Sequence, residues 1–119
     1  MNYKQIVIAA VIIFFGCNEE PELTEKCNPD NPLEMHWMAE WIGELQHCGC
    51  TTSVFQGEYD GGTVFWHLIT DPLCQTIIEN IPVFNCLGDE ILLLNNNNDW
   101  QEFSSKITER KIIFVCSRL

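Results

Sequence analysis

Six cysteines constrain this chain more than any other feature: Cys27, Cys48, Cys50, Cys74, Cys86 and Cys116. An even set in a small exported domain reads as a disulfide framework, and six thiols allow fifteen pairings. With 119 residues in all, the chain can bury one modest core and no more. Crosslinks would supplement that core, typically by about 2–4 kcal/mol each. Cys48-Gly49-Cys50 makes too small a ring to close on itself without straining the bond geometry. Its two thiols are therefore expected to clip to two different segments. A bridge from Cys27 would pin the N-terminal arm to the domain.

The premise of export rests on the seventh cysteine. Lys4 supplies a positive n-region, and Ile6 to Phe15 supply about ten apolar residues, an h-region and not a membrane span. Phe14-Phe15-Gly16-Cys17 resembles a bacterial lipoprotein signal, in which residues 1–16 are removed and the Cys17 thiol is acylated, palmitate included. The alternative is an ordinary secretory signal with a chance cysteine. Several acyl chains would anchor the protein stably, since each buried methylene contributes about 0.8 kcal/mol. The expected address is the outer membrane, at the cell surface or on the periplasmic face. Asn18-Glu19-Glu20-Pro21-Glu22 resembles the export tag of surface-displayed Bacteroidota lipoproteins. Residues 17–30 have the polar, acidic composition of a solvated tether. Residues 31–119 are left as a single small domain.

Charge narrows the partners. The net charge is −11, with six basic and seventeen acidic residues. Removing Lys4 with the signal makes it −12. Such a field repels phosphate backbones, so nucleic acid is disfavoured, and so is peripheral binding to anionic lipid. It suits cationic partners or plain solubility.

Along the domain, Asn31-Pro32-Leu33-Glu34 has the form of a helix start: a capping side chain, proline at the first turn, and a carboxylate that can reach back. Leu33, Trp37, Met38, Trp41, Ile42 and Leu45 recur at helical spacing, which predicts one amphipathic helix from Pro32 to His47. Gly49 suits its end. Strands are expected over Thr51–Tyr59 and Thr63–Ile69, joined by Asp60-Gly61-Gly62. Val64, Trp66 and Leu68 alternate with Phe65, His67 and Ile69, so both faces of the second strand are apolar and it reads as central. Ile81–Cys86 and Glu90–Leu94 flank Leu87-Gly88-Asp89 as a further hairpin. Asn95 to Asn98 form a polar loop, Asp99 is placed to cap a short helix bearing Trp100, Phe103 and Ile107, and Lys111–Cys116 is a last strand. The expected fold is α+β: one N-terminal amphipathic helix packed on a four- to five-stranded antiparallel sheet, stabilised by disulfides.

The segment from Leu33 to Ile91 resembles a domain of unknown function found in small Bacteroidota lipoproteins. The resemblance rests on the Trp-bearing helix, on Cys48-Gly49-Cys50-Thr51-Thr52-Ser53-Val54-Phe55-Gln56, on Val64-Phe65-Trp66, on Asp71-Pro72-Leu73-Cys74, and on Asn85-Cys86-Leu87-Gly88-Asp89. After Ile91 that family has a Gly-rich segment with another cysteine, whereas this chain has Asn95 to Asn98. The resemblance implies an address and a fold, and no activity.

No catalytic residue set stands out. His47, Cys48 and Cys50, with His36 or His67, offer the right atoms for zinc, but paired zinc cysteines usually stand two to four residues apart. As a redox pair, Cys48 and Cys50 follow a helix C-terminus, where the dipole opposes a thiolate. A cysteine nucleophile would need a free thiol. Neither a Gly-rich phosphate loop, a Gly-x-Ser-x-Gly elbow nor a His-Glu-x-x-His helix is present. The expected role is a non-enzymatic binding or structural module without cofactor or metal, held to the membrane through Cys17. The alternative is a small periplasmic thiol/disulfide or metal-dependent enzyme using Cys48 and Cys50. Trp37, Trp41 and Trp66 read as core, or else as an aromatic patch for a protein or glycan partner. Trp100 reads as the more exposed contact.

Overall fold

A computed structural model of the chain describes residues 26–45 and 48–117. The expectations for the signal, Cys17 and His47 lie outside the described residues. A 3-10 turn at Pro32–Glu34 leads into α1 (His36–Glu44), followed by β1 (Thr52–Tyr59), β2 (Gly62–Ile69), β3 (Ile81–Asn85), β4 (Glu90–Leu94), α2 (Asn97–Lys106) and β5 (Thr108–Cys116). The five strands form one antiparallel sheet in the order β4-β3-β2-β1-β5.

Local chemistry sets this path. Tyr59 pairs with Gly62 across a two-residue turn, and Asp60 and Gly61 there have φ of 53° and 84°. Positive φ at both turn positions matches the right-handed twist of the flanking strands, which is why Asp-Gly serves here. β4 ends at one edge of the sheet and β5 lies at the other, so α2 carries the chain across the sheet between them.

Strand alternation then separates two apolar layers. Val64, Trp66, Val83 and Leu94 face α2, where Phe103 meets Trp66 edge-on at 5.1 Å. Val54, Phe65 and Cys86 face α1 and pack with Met35, Met38 and Ile42. The central position read for the second strand is what the sheet shows: Phe65 and Trp66 are both 0% exposed, one on each side. Fully burying side chains of this size stabilises by about 1.5–3 kcal/mol each.

Several expectations are corrected. The helix lies inside the chain, after the described segment 26–35, and is not its N-terminal element. It is also shorter than Pro32–His47. Met35 takes an extended conformation (φ −72°, ψ 136°) that sinks its side chain to 2% exposure and divides the 3-10 turn from α1. Asn31 makes no side-chain capping bond, and Leu33 points outward at 47% exposure. At α2 the cap is Asn96, whose Oδ1 accepts from the Asp99 backbone N–H at 2.9 Å. Asp99 instead accepts from the Asn95 N–H at 2.9 Å, so the asparagine run starts the helix rather than looping before it. The last strand begins at Thr108, three residues before Lys111.

Three disulfides close the framework: Cys27–Cys86, Cys48–Cys116 and Cys50–Cys74. The two thiols of the Cys-Gly-Cys segment go to different partners, one at the end of β5 and one in the loop after β2. Cys27–Cys86 fastens residues 27–34 to the end of β3, and the Gln56 amide donates to the Pro29 carbonyl at 3.2 Å beneath that arm. None of the helices among the described residues is long and apolar enough to cross a membrane.

Candidate functional site

Trp37 and Trp41 stand one turn apart on α1 and reach the sheet as a stacked pair, ring centroids 6.0 Å apart. Phe84 from β3 lies against both, at 5.5 Å and 4.9 Å. Phe65 meets Trp37 edge-on at 5.6 Å, and His67 meets Trp41 edge-on at 5.8 Å. The Trp37 indole N–H donates to the Cys86 carbonyl at 3.1 Å. Trp37 and Trp41 are half-buried, so their rings form the wall of a face and not its interior. Trp66, by contrast, is core.

Beyond that wall the sheet is open. Leu92 and Leu94 pack into the layer under α2, so alternation turns Leu93 to the α1 side, whereas Ile91 falls at a register shift that sets Glu90 opposite Phe84. No helix covers Ile91 or Leu93, and they are 42% and 43% exposed. Leu93 pairs with Pro82. Leu87, in the β3–β4 turn, is 52% exposed. Gly88 closes this turn against Trp37: its φ is +91°, and a Cβ there would stand 2.7 Å from the indole ring. Asn85 holds the turn by accepting from the Leu87 and Asp89 N–H groups, each at 2.9 Å. Trp41, Phe84, Pro82 and Leu93 therefore share the α1 side of the sheet, with Glu90 opposite Phe84 and the exposed Leu87 and Ile91 nearby in sequence. Such faces are how soluble domains meet partners or membranes.

The histidines do other work. Burial lowers the pKa of His67 below its ordinary value of 6.5, and its Nδ1 is buried without a hydrogen-bond partner among the described residues. It is a neutral ring packed under Trp41. His36 pairs with Glu40 at 3.1 Å on the outer side of α1.

Neither His36 nor His67 joins the cysteines in a donor cluster. Among the described residues, one group of possible metal donors comes together within 4.8 Å: Cys50, Asp71 and Cys74. Its two sulfurs are bonded to each other. Asp71 is 6% exposed and accepts from the Thr51 and Leu73 N–H groups at 3.1 Å and 2.9 Å. It caps the entry to β1 and a turn after β2, which explains a buried carboxylate at this position. Cys48 and Cys50 do not face each other as an exchange pair, because each is bonded elsewhere. Trp100, expected to be the exposed contact, is half-buried beside Phe103 at 6.0 Å, with the Arg110 guanidinium 5.8 Å from its ring centroid.

The open half of the α1 face was missed in the sequence. Its signal was there: Ile91-Leu92-Leu93-Leu94 is apolar on both faces, which an edge strand of an isolated domain does not need.

No family model, curated protein or solved structure matches this chain.

Proposed function

We propose that this protein is a lipid-anchored lipoprotein of the outer membrane, acylated at Cys17, and that its domain is a non-enzymatic binding or structural module of the uncharacterised Bacteroidota lipoprotein type. One observation carries the reading: Cys27, Cys48, Cys50, Cys74, Cys86 and Cys116 are all taken up in bridges. Cys17 is the remaining thiol of seven, and it follows the apolar run where an acyl acceptor belongs. Disulfides of this density fit an oxidising compartment. The Cys27–Cys86 bridge supports the same reading, since it fastens the chain to the domain within the stretch read as the tether, ten residues after Cys17.

Replacing Cys17 by Ser tests the anchor. The variant should leave the membrane fraction and appear as a soluble exported protein, whereas unchanged fractionation would remove the proposal. Protease added to intact cells should degrade a surface-displayed form and spare one on the periplasmic face. The competing enzyme at Cys48 and Cys50 requires a reactive thiol pair. Titration of the native protein with a thiol reagent should find none.

A further inference from the structure

We infer that the groove between the N-terminal arm and the edge strand β5 takes a short, extended, cationic segment of a partner protein, which pairs with the backbone of Lys111–Ile113. This rests on the reading of the domain as a binding module and deepens it, and it does not depend on the anchor at Cys17.

The arm builds the first wall. Cys27 is bonded to Cys86 at the end of β3, and the Pro29 carbonyl accepts from the Gln56 amide on β1. The arm therefore crosses the sheet, and Asp30 to Glu34 arrive beside Lys111, Ile112 and Ile113 of β5. Its own backbone bonds fix its shape: the Asn31 and Glu34 N–H groups donate to the Asn28 and Asn31 carbonyls at 3.2 Å and 3.0 Å. Between arm and strand lies an open groove of about 330 Å³. Leu33 and Ile112 line it and are 47% and 53% exposed.

The strand builds the second wall. β5 is nine residues long, and among the described residues it pairs on one side only, with β1. The backbone N–H and C=O groups along the free edge of such a strand are a template for another strand. The β1–β5 register shifts at Val54/Phe55 and again at Gln56/Glu58, and each shift bends the edge. Two bends deny a long, straight partner and leave room for a short one.

Charge names the partner. The groove carries Asp30 and Glu34 against one cation, Lys111, and the whole chain is at −11. A field of this sign draws cationic segments and repels acidic ones. It also repels a second copy of this chain, which the bends in β5 disfavour as well. Backbone pairing would hold the segment, and alternate side chains would enter the groove: an aliphatic one between Leu33 and Ile112, and basic ones toward Asp30 and Glu34.

The test uses the mature protein with its disulfides intact and the fluorescein-labelled peptide Lys-Lys-Val-Val-Lys-Lys, each face of which reads Lys, Val, Lys when extended. Anisotropy should report saturable binding that weakens with added salt. The same peptide with N-methylated amides keeps its charge and loses its backbone donors, and should bind roughly tenfold or more weakly. Glu-Glu-Val-Val-Glu-Glu should not bind. Ile112→Lys and Leu33→Lys should each weaken binding by about tenfold while keeping an unchanged near-UV circular dichroism spectrum. Leu93→Lys, on the opposite edge strand, should leave binding unchanged. Hydrogen exchange within Lys111–Ile113 should slow in the complex. Equal binding of the methylated peptide would reduce the contact to charge alone and overturn the inference. So would an absence of peptide binding, or a dimer that Ile112→Lys dissociates. Free thiols in the native protein would remove the binding-module reading itself, which thiol titration of the same sample reports separately.

Discussion

The Trp37 indole N–H donates to the Cys86 carbonyl across 49 residues of sequence, at the carbonyl of the residue that also bonds Cys27. Helix α1, the end of β3 and the N-terminal arm therefore meet at one point.

Because Trp37 joins these parts by one hydrogen bond, Trp37→Phe should keep the aromatic packing and lose about 1 kcal/mol of stability. Trp66→Ala, in the fully buried layer, should cost about 3–5 kcal/mol. Urea unfolding of both variants gives the comparison.

Two glycines should respond in opposite directions. Gly88 has φ +91° and its missing Cβ would overlap the Trp37 ring, so Gly88→Ala should destabilise by more than about 1 kcal/mol. Gly43 lies within α1 with nothing within 4 Å of a built Cβ, so Gly43→Ala should stabilise by roughly 0.5–1 kcal/mol. Thermal melts of the two variants test the pair.

His67 makes stability depend on pH. Burial lowers its pKa in the folded state from 6.5, so between the two values the unfolded chain holds the proton that the folded chain refuses. The stabilisation tied to a neutral His67 is fully present above about pH 6.5 and declines as pH falls through that value. Unfolding measured at pH 7.5 and pH 5.5 should show a loss that His67→Gln reduces.

The bridges should differ in weight. Cys48–Cys116 closes a separation of 68 residues and Cys50–Cys74 one of 24. By loop-closure entropy, replacing the first pair with serine should cost about 1 kcal/mol more than replacing the second. Chemical denaturation of the two double variants measures the difference.

Capping chemistry sets the start of α2. Asn96→Ala removes the acceptor for the Asp99 N–H and should cost about 1 kcal/mol, while Asn95→Ala should cost little. Thermal unfolding separates them.

Much of this architecture is legible from side chains alone. Alternation across Val64 to Ile69 marks a strand buried on both faces, and Asp60-Gly61 marks its turn. Ring strain at Cys48-Gly49-Cys50 sends those thiols to separate partners. Other features depend on contacts that local pattern does not carry. Helical spacing from Leu33 to Leu45 treats Met35 as one more helical position, whereas the sheet below draws its side chain in and interrupts the helix. Asp99 and Asn96 are both good caps, and only the hydrogen-bond geometry distinguishes them. The half-open apolar side under α1 is assembled from α1, β3 and β4, so its members are scattered from Trp37 to Leu93 and no short window contains it.

The account turns on Cys17 as the acylated residue and on the other six cysteines as structural bridges. Intact mass of the mature protein extracted from membranes, with alkylation before and after reduction, tests both at once. The predicted result is a chain beginning at an acylated Cys17, with six thiols that alkylate only after reduction. An unacylated chain, or thiols that alkylate without reduction, would contradict it.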